Sequence, residues 1–364
     1  MDILVMNATR RKLRAAWFSG DAREAMGTAR FEDYRGPGNC LSVVTELLRQ
    51  VTTSPDVIGI RLPFGGAAFD GPARVTSRVM QQLDALVAQA PLHVPPAITL
   101  IETCRRLLPQ VPIVLAFETA FFAALPPREH LYAINVDAAG TGKLRRYGFH
   151  GLHHEAVCRH VQRLRRREGE TAAARVLSIC LEPRSEIAAV IGNHPVMVTS
   201  GTTPLEGLPG ETTCGELDPS IVLMLAKEMD WGPEQINETL TRESGLAGLA
   251  GRPTTLAEVL ASEEPSLREA REVLRYRMLL FCGAGVAAMG GVDAVVFSGR
   301  FAKLGERLGP WLTSKMPHRD RETDTVVWQT FDEPLARIVA DMAAASYRGD
   351  VPPGVRPRAT SVGP

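Results

Sequence analysis

The fold of this chain is decided by Thr203-Pro204-Leu205-Glu206-Gly207-Leu208, followed by Gly215-Glu216-Leu217-Asp218-Pro219. Six other short stretches of distinctive composition accompany this pair, at residues 1–8, 58–66, 90–95, 117–122, 145–154 and 290–299. Any one of them could arise by chance. Because all of them keep their order along nearly the whole chain, we base the prediction of the fold on the set and not on a single motif.

Taken in this order, the stretches resemble the acetate kinase family. Residues 203–208 and 215–219 are similar to the TPLEGL…GTRSGDIDP signature of that family, and residues 145–154 (RRYGFHGLHH) are similar to its RRYGFHGTSH. Residues 117–122 (FETAFF) and 290–299 (GGVDAVVFSG) are similar to its FDTAFH and GGVDAIVFTGG. The resemblance implies an α/β fold with two ribonuclease-H-like lobes, of the actin, hexokinase and heat-shock protein type, around a central cleft.

The composition is typical of a globular protein of two ordinary domains, with 364 residues, 45% hydrophobic and 23% charged. Basic and acidic side chains both number 41, so the net charge is zero and a dedicated nucleic-acid binder is not expected. No apolar run is long enough for a membrane span. The six cysteines form no CxxC pair, which favours reduced thiols. We therefore predict a cytoplasmic protein that binds neither nucleic acid nor membrane.

The organisation of the chain repeats itself. Apolar runs at residues 2–6, 57–62 and 113–117 indicate core strands, and a second block of strands at 176–180, 186–191 and 195–198 echoes the first. We predict an N-terminal lobe of residues 1–124 plus a C-terminal return of 335–364. The second lobe, 125–334, would also carry the dimerisation region, at the helical stretch 267–289. The tail at 349–364 is rich in Pro, Gly and Arg and is expected to be disordered.

The resemblance also implies roles for individual residues. Arg61 would orient the acyl phosphate, His150 would hold the oxygens of the transferring phosphoryl group, and Glu118 would place magnesium. The remaining implied site residues are Asn7, Leu92, Phe149 and Pro204 for the substrate, Gly299 for the nucleotide, and Glu333 with Asn7 for the metal. Leu92, Phe149 and Pro204 would line a small apolar pocket, although in most proteins they would be core residues. Arg61 and His150 could instead be buried side chains that each satisfy a backbone carbonyl.

Several phosphate-handling positions depart from the family pattern. Thr213 stands where the family has the arginine that contacts the transferring phosphoryl group. The loop that resembles HLGNGAS reads Cys180-Leu181-Glu182-Pro183-Arg184-Ser185-Glu186, so both glycines are gone and a proline removes one backbone donor. Glu182 and Glu186 are expected to stand where nucleotide phosphates would lie, and like charges in a partly dry cleft repel by several kcal/mol.

Two other loops have changed in the same way. The first loop reads Asn7-Ala8-Thr9-Arg10-Arg11-Lys12, where small residues have become cationic, so it is either an altered anion site or a solvated surface loop. On the adenosine side, the positions that match an Asp and an Arg are Thr255 and Ala257. A nucleotide would lose polar contacts there.

Three hypotheses about function therefore stay open. The first is a working ATP-dependent acetate or short-chain carboxylate kinase that uses Mg²⁺, with Arg10, Arg11, Lys12, Arg184 or Arg300 in place of backbone donors. The second is a non-catalytic homologue that binds a small carboxylate or acyl phosphate, or a partner protein. The third is a phosphotransferase with another donor, such as pyrophosphate or an acyl phosphate. Phosphoryl transfer depends mostly on positioning and charge stabilisation, and the changed loops are expected to supply less of both. We therefore expect ordinary acetate kinase activity to be weak or absent. The family resemblance also implies a homodimer.

Overall fold

Two β-sheets organise the chain in the computed structural model, which describes residues 1–9, 11–20, 22, 24–135, 144–316 and 327–350. Arg10 and residues 351–364 of the predicted disordered tail lie outside this description. The chain divides into two compact units, Met1–Ala123 with Glu333–Pro364 and Ala124–Asp332. The role of these units as functional lobes, and that of 267–289 in dimerisation, stay predictions.

The first unit is a mixed sheet covered by helices. Its strands are β1 (Asp2–Ala8), β2 (Leu13–Ser19), β3 (Gly27–Phe31), β4 (Val57–Leu62), β5 (Ala73–Arg74) and β6 (Ile113–Phe117). Its helices are α1 (Cys40–Gln50), α2 (Ser77–Leu86), α3 (Val94–Leu107) and, from the C-terminal return, α12 (Leu335–Arg348). The strand order is β3-β2-β1-β4-β6-β5, with β1, β4 and β6 mutually parallel and β2 and β3 antiparallel.

The C-terminal return completes the core of the first unit. Helix α12 packs on the central strand β4 at Gly59, where an added Cβ would lie 3.1 Å from Val339 and 3.2 Å from Ala343. Gly59 therefore allows the helix to approach the sheet closely. Val339 and Ala343 are both buried, as the apolar face of a surface helix requires.

The second unit repeats this plan. Its strands are β7 (Arg175–Cys180), β8 (Glu186–Ile191), β9 (His194–Val198), β10 (Ala294–Ser298) and β11 (Val327–Thr330). Its helices are α4 (Pro127–His130), α5 (Gly151–Arg167), α6 (Pro219–Glu228), α7 (Pro233–Arg242), α8 (Gly245–Ala250), α9 (Leu256–Ala261), α10 (Arg268–Met289) and α11 (Gly305–Thr313). In the order β11-β10-β7-β8-β9, an antiparallel meander is again followed by parallel strands. This shared topology confirms the internal echo predicted from the sequence.

Strand β7 has a different helix on each of its two faces. Leu177 and Ile179 belong to the apolar core that contains Leu274 and Met278 of α10. Ser178, between them, points the other way and contacts α5 through His154. This alternation follows from the two-residue period of a strand, and it places one polar side chain in the packed layer beneath α5. Among the described residues, no helix is both long and apolar enough to cross a membrane.

Candidate functional site

Asn7, Arg61 and Glu118 come together in the first unit. The parallel register aligns Asn7 with Arg61 and Arg61 with Ala116, so all three residues lie at the carboxyl ends of β1, β4 and β6. Arg61 Nε donates to Glu118 Oε1 at 2.7 Å, and Arg61 Nη1 donates to Asn7 Oδ1 at 3.5 Å. The Glu118 side chain is 1% exposed and that of Arg61 17%. The cluster is therefore a mostly buried guanidinium held in one orientation, with a small exposed surface that an anion can reach.

The same cluster was predicted to hold magnesium. Mg²⁺ is usually bound by one or two carboxylates together with substrate phosphates. Here the charge of Glu118 is already balanced by Arg61 at 2.7 Å, and Glu333 lies half-buried before α12. The described part of the chain contains no group of three or more His, Cys, Asp or Glu side chains that could hold a metal ion. A cation at Glu118 would have to compete with the Arg61 guanidinium, and the metal-binding roles of Asn7, Glu118 and Glu333 stay predictions.

Phe149 and His150 lie in the second unit, just before α5. Their backbone N–H groups both donate to the carboxylate of Glu186, Phe149 N to Oε2 and His150 N to Oε1, each at 2.9 Å. The His150 ring contacts the backbone carbonyl of Arg184 through Nε2 at 2.9 Å. A carbonyl only accepts, so Nε2 carries the proton in this contact. The His150 ring thus contacts a carbonyl from a half-buried position, and its role at a substrate stays a prediction.

A polar network is buried beneath this segment. Glu186 and His154 are completely buried, with His154 Nε2 at 3.3 Å from Glu186 Oε1, and His154 Nδ1 lies 2.7 Å from Ser178 Oγ. Burial by itself raises the pKa of the Glu186 carboxyl. The hydrogen bond from His154, the charges of His150 and His154, and the Ser200 hydroxyl outweigh burial and lower the pKa to about 2. Glu186 is therefore an ionised carboxylate inside the protein.

Both carboxylates of this loop have partners within the protein. The two oxygens of Glu186 accept hydrogen bonds at the start of α5, and its expected place beside nucleotide phosphates stays a prediction. Glu182 is also engaged within the protein: its Oε1 accepts the backbone N–H of Arg300 at 2.8 Å, and its Oε2 lies 3.4 Å from the Arg300 guanidinium. The Glu182 side chain is 16% exposed. The loop thus carries a carboxylate bound to its own neighbouring turn, and not two carboxylates facing outward.

The three remaining candidate positions differ in burial. Gly299 has φ +86°, and an added Cβ would lie 2.7 Å from the carbonyl oxygen of Leu181, so contact with its own chain already requires glycine there. Leu92 is 57% exposed, which rules out a core role for it in the described structure. Pro204 is half-buried. Leu92 belongs to the first unit and Pro204 to the second, and their roles at a substrate pocket stay predictions.

Hydrogen bonds join Thr9 and Lys12 of the first loop. Thr9 N donates to the carbonyl of Lys12 at 2.8 Å, and Lys12 N donates to Thr9 Oγ1 at 3.2 Å. Lys12 Nζ pairs with Glu32 on the neighbouring hairpin at 2.7 Å. Two of the cations predicted to replace backbone donors, Lys12 and Arg300, therefore already have acidic partners in the described structure.

The signature stretch is tied to the segment that carries His150. Arg146 Nη2 pairs with Glu206 Oε1 at 2.7 Å, and the hydroxyl of Tyr132 donates to Glu206 Oε2 at 2.5 Å. The sequence reasoning did not assign a role to Glu206, His154 or Ser178. The spacing of His150 and His154 on one helical turn was a signal for the buried network, but its partner on another strand was not visible in the sequence.

The chain is similar to proteins of a known family. A family model described as the acetokinase family matches residues 11–307. The acetate kinase of Rhodopseudomonas palustris is 36% identical over 282 residues, covering 75% of this chain and 69% of that protein. The acetate kinase of Coprothermobacter proteolyticus is 34% identical over 255 residues, covering 68% of this chain and 63% of that protein.

The chain belongs to the acetokinase family.

Solved structures support the fold of this acetokinase-family chain. The acetate kinase of Porphyromonas gingivalis superposes with a TM-score of 0.81 at 23% identity, covering 94% of this chain and 99% of that one. A propionate kinase from Francisella tularensis gives 0.77 at 21% identity, covering 94% and 99%. At these identities the likeness is one of fold. It confirms the two-sheet α/β architecture expected from the sequence, whereas the roles of the individual site residues stay predictions.

The depressed pKa of Glu186 predicts a pH-dependent stability for this chain. Its folded-state pKa of about 2 lies below the ordinary 4.5, so the carboxylate stabilises the fold above pH 4.5, and that contribution is lost as the pH falls through 2. We expect Glu186→Gln to lower the free energy of unfolding at pH 7 by about 1–3 kcal/mol, because one backbone N–H loses its acceptor. The difference from wild type should narrow below pH 4.5. Urea unfolding between pH 7 and pH 3.5 measures it.

Glu155→Gln is the matched control for this measurement. Glu155 lies on α5 and pairs with Arg159, but burial raises the pKa of its carboxyl, so its contribution to stability has the opposite sign with pH. As the pH falls, the free energy of unfolding of the wild type relative to Glu155→Gln should rise, which is the opposite of the change expected relative to Glu186→Gln. A Glu186→Gln difference that stays constant down to pH 3.5 would contradict the assigned pKa.

Proposed function

We propose that this chain is a short-chain carboxylate phosphotransferase of the acetate kinase type that binds the carboxylate or its acyl phosphate at Arg61. The observation that carries the proposal is the orientation of the Arg61 guanidinium by Glu118 and Asn7. A planar guanidinium fixed at Nε suits two-point contact with a carboxylate or phosphate. The acetate kinase relatives support the same substrate class.

In the proposed reaction, a carboxylate oxygen forms a bond to phosphorus while the bond between phosphorus and the donor oxygen breaks. Arg61 would neutralise the negative charge of the acceptor and hold it in line, which is most of what a phosphotransferase contributes. His150 would supply a hydrogen bond to a phosphoryl oxygen. Its ring already donates from Nε2 to the Arg184 carbonyl, so this role requires that proton to be redirected to the substrate.

Turnover with Mg²⁺-ATP is proposed to be weak. Glu182 accepts a hydrogen bond from the backbone N–H of Arg300, and Pro183 has no backbone N–H to donate. Thr213, at the position of the family arginine, is 2% exposed, and its carbonyl accepts the Gly210 N–H at 3.0 Å. A side chain enclosed in this way does not reach a transferring phosphoryl group.

The Glu182–Arg300 contact also favours a second candidate function, a non-catalytic homologue that binds a small carboxylate or acyl phosphate and turns over no nucleotide. A phosphotransferase with pyrophosphate or acyl phosphate as donor fits the same contact. In each case we propose a cytoplasmic protein.

We also propose a homodimer, formed through the outer surface of the second unit. Helix α10 buries Leu274, Met278 and Cys282, while Tyr276 and Leu280 on its other side are 60% and 46% exposed. Helix α6 contributes no buried residue in the described structure. Its side chains include two exposed apolar residues, Leu223 at 68% and Met224 at 51%. Apolar surface of this kind is typical of permanent dimer interfaces.

The proposed function predicts that Arg61 carries the binding of acetyl phosphate. We expect Arg61→Ala to weaken binding roughly 10- to 100-fold, because a charged hydrogen-bonding group is worth about 1.5–3 kcal/mol. Isothermal titration with acetyl phosphate, with and without Mg²⁺, measures it. Arg49→Ala is the control, since Arg49 is an exposed arginine of α1 in the first unit. Equal affinities in wild type and Arg61→Ala would remove Arg61 from the site.

Nucleotide binding gives a separate prediction. Mg²⁺-ATP should bind to the wild type with a Kd weaker than about 1 mM, equivalent to about −4 kcal/mol. Glu182→Gly combined with Pro183→Asn frees the Arg300 N–H and adds a donor, so the affinity should rise about tenfold. Thr213→Arg alone should leave the Kd and hydroxamate formation from acetate unchanged, because position 213 is enclosed. A micromolar Kd in the wild type would sink the proposal of a weak nucleotide site.

The assembly prediction uses the exposed apolar side chains. Light scattering should give a dimer for the wild type at micromolar concentration. Leu223→Asp together with Leu280→Asp should give a folded monomer, because neither residue is buried within the chain. Met26→Asp is the control, an exposed apolar side chain of the first unit, and it should leave the dimer intact. A monomeric wild type would contradict the homodimer.

A further inference from the structure

We propose that Glu186 is a positioning residue for His150, and that its buried carboxylate fixes the backbone of Phe149 and His150 at the N-terminal end of α5. The inference deepens the proposed function, since it rests on a role for His150 at the phosphoryl group. The family resemblance implies no catalytic or binding role for Glu186, because the family has a serine at the matching position of its HLGNGAS loop.

The contact is a two-point one between rigid elements. Glu186 is the first residue of β8 and pairs with Cys180 of β7, so its backbone is held within the sheet. Its two oxygens each accept one N–H from consecutive residues, Phe149 and His150, both at 2.9 Å. Neither N–H can turn away without breaking a charge-assisted hydrogen bond to a completely buried carboxylate.

The partial positive charge at the N-terminal end of α5 makes a carboxylate a suitable partner there. The helix runs for 17 residues from Gly151, and His150 at its N-cap position makes no side-chain capping hydrogen bond. The unpaired N–H groups and the dipole at a helix start favour a negative charge. Glu186 supplies that charge from a different element of the fold, at the two residues that precede the helix.

The carboxylate is held in turn by α5 itself. His154 on the first turns of α5 approaches Glu186 Oε1 at 3.3 Å, and Ser178 on β7 contacts the other ring nitrogen at 2.7 Å. The segment of Phe149 and His150 is thus held by Glu186 of β8, and Glu186 is in turn contacted by His154 of α5. The remaining freedom of His150 lies in its side chain, whose Nε2 contacts the Arg184 carbonyl at 2.9 Å.

Replacing the carboxylate by an amide of the same size breaks this arrangement in a defined way. The Gln oxygen can accept one of the two N–H groups, but its NH₂ group faces the other N–H as a second donor. One backbone N–H of Phe149 or His150 is then left without an acceptor. We expect the segment to move and the imidazole of His150 to move with it, with kcat falling roughly 10- to 100-fold and KM changing less than twofold.

The experiment compares wild type, Glu186→Gln and Glu155→Gln by NMR of the histidine rings and backbone amides, with His150→Gln used to assign the His150 ring signal. Glu155→Gln makes the same chemical change on α5, at a carboxylate whose partner is Arg159. We expect the ring signal of His150 and the amide signals of Phe149 and His150 to shift in Glu186→Gln and to stay unchanged in Glu155→Gln. Unchanged signals in Glu186→Gln would overturn the proposal.

A measurement on the wild type keeps the test decisive if Glu186→Gln does not fold. The amides of Phe149 and His150 should exchange with solvent deuterium at least 100-fold more slowly than the amides of exposed loops, since a buried carboxylate binds them. Exchange at the loop rate would overturn the proposal. Neither readout needs turnover, so a wild type without acetyl phosphate formation would count against the proposed function and leave the positioning role to be judged on its own signals.

Discussion

Each of the two sheets ends in an arginine–glutamate pair at the carboxyl edge of its parallel strands, and the candidate site chemistry depends on how these two pairs differ. In the first unit, Arg61 of β4 pairs with Glu118 after β6, and in the second, Arg300 after β10 pairs with Glu182 after β7. The edge is the same in both sheets because the strand topology is repeated. Open α/β sheets bind ligands at this edge.

Burial separates the two pairs. Glu118 is 1% exposed and sits 2.7 Å from Arg61, whereas Arg300 is 52% exposed and 3.4 Å from Glu182. Breaking a buried pair by removing one partner typically costs about 3–5 kcal/mol, while a solvated pair contributes about 0–1 kcal/mol. The Arg61–Glu118 pair is therefore a fixed part of the first unit. In the Glu182–Arg300 contact, the hydrogen bond from the Arg300 backbone N–H at 2.8 Å is shorter than the 3.4 Å separation of the ion pair.

The contacts of Glu186 in the folded chain differ from those that its position in the loop suggests. A glutamate in the loop that resembles a phosphate-binding sequence suggests repulsion of a ligand. In the folded chain the same carboxylate is an internal ligand for the start of α5, with His154 and Ser178 behind it. Burial raises the pKa of the Glu186 carboxyl, but the hydrogen bond from His154, the charges of His150 and His154 and the Ser200 hydroxyl outweigh burial and lower it. In the folded chain, Glu186 of this loop is a buried anion with partners inside the protein.

The sequence by itself determined the family, the two-sheet α/β architecture and its internal repeat, because short motifs and strand-like apolar runs kept their order along the chain. It also indicated that Asn7, Arg61 and Glu118 belong to one site, and the parallel register brings them together. The directions of the other side chains were decided only by the tertiary structure. Glu182, Glu186 and Lys12 read in the sequence as free charges, and each found a partner at a long sequence separation or on a neighbouring hairpin. A charge in a loop is equally compatible with solvent, a ligand or a buried partner, and the choice depends on which backbone N–H groups the packing of distant strands and helices brings within hydrogen-bond distance.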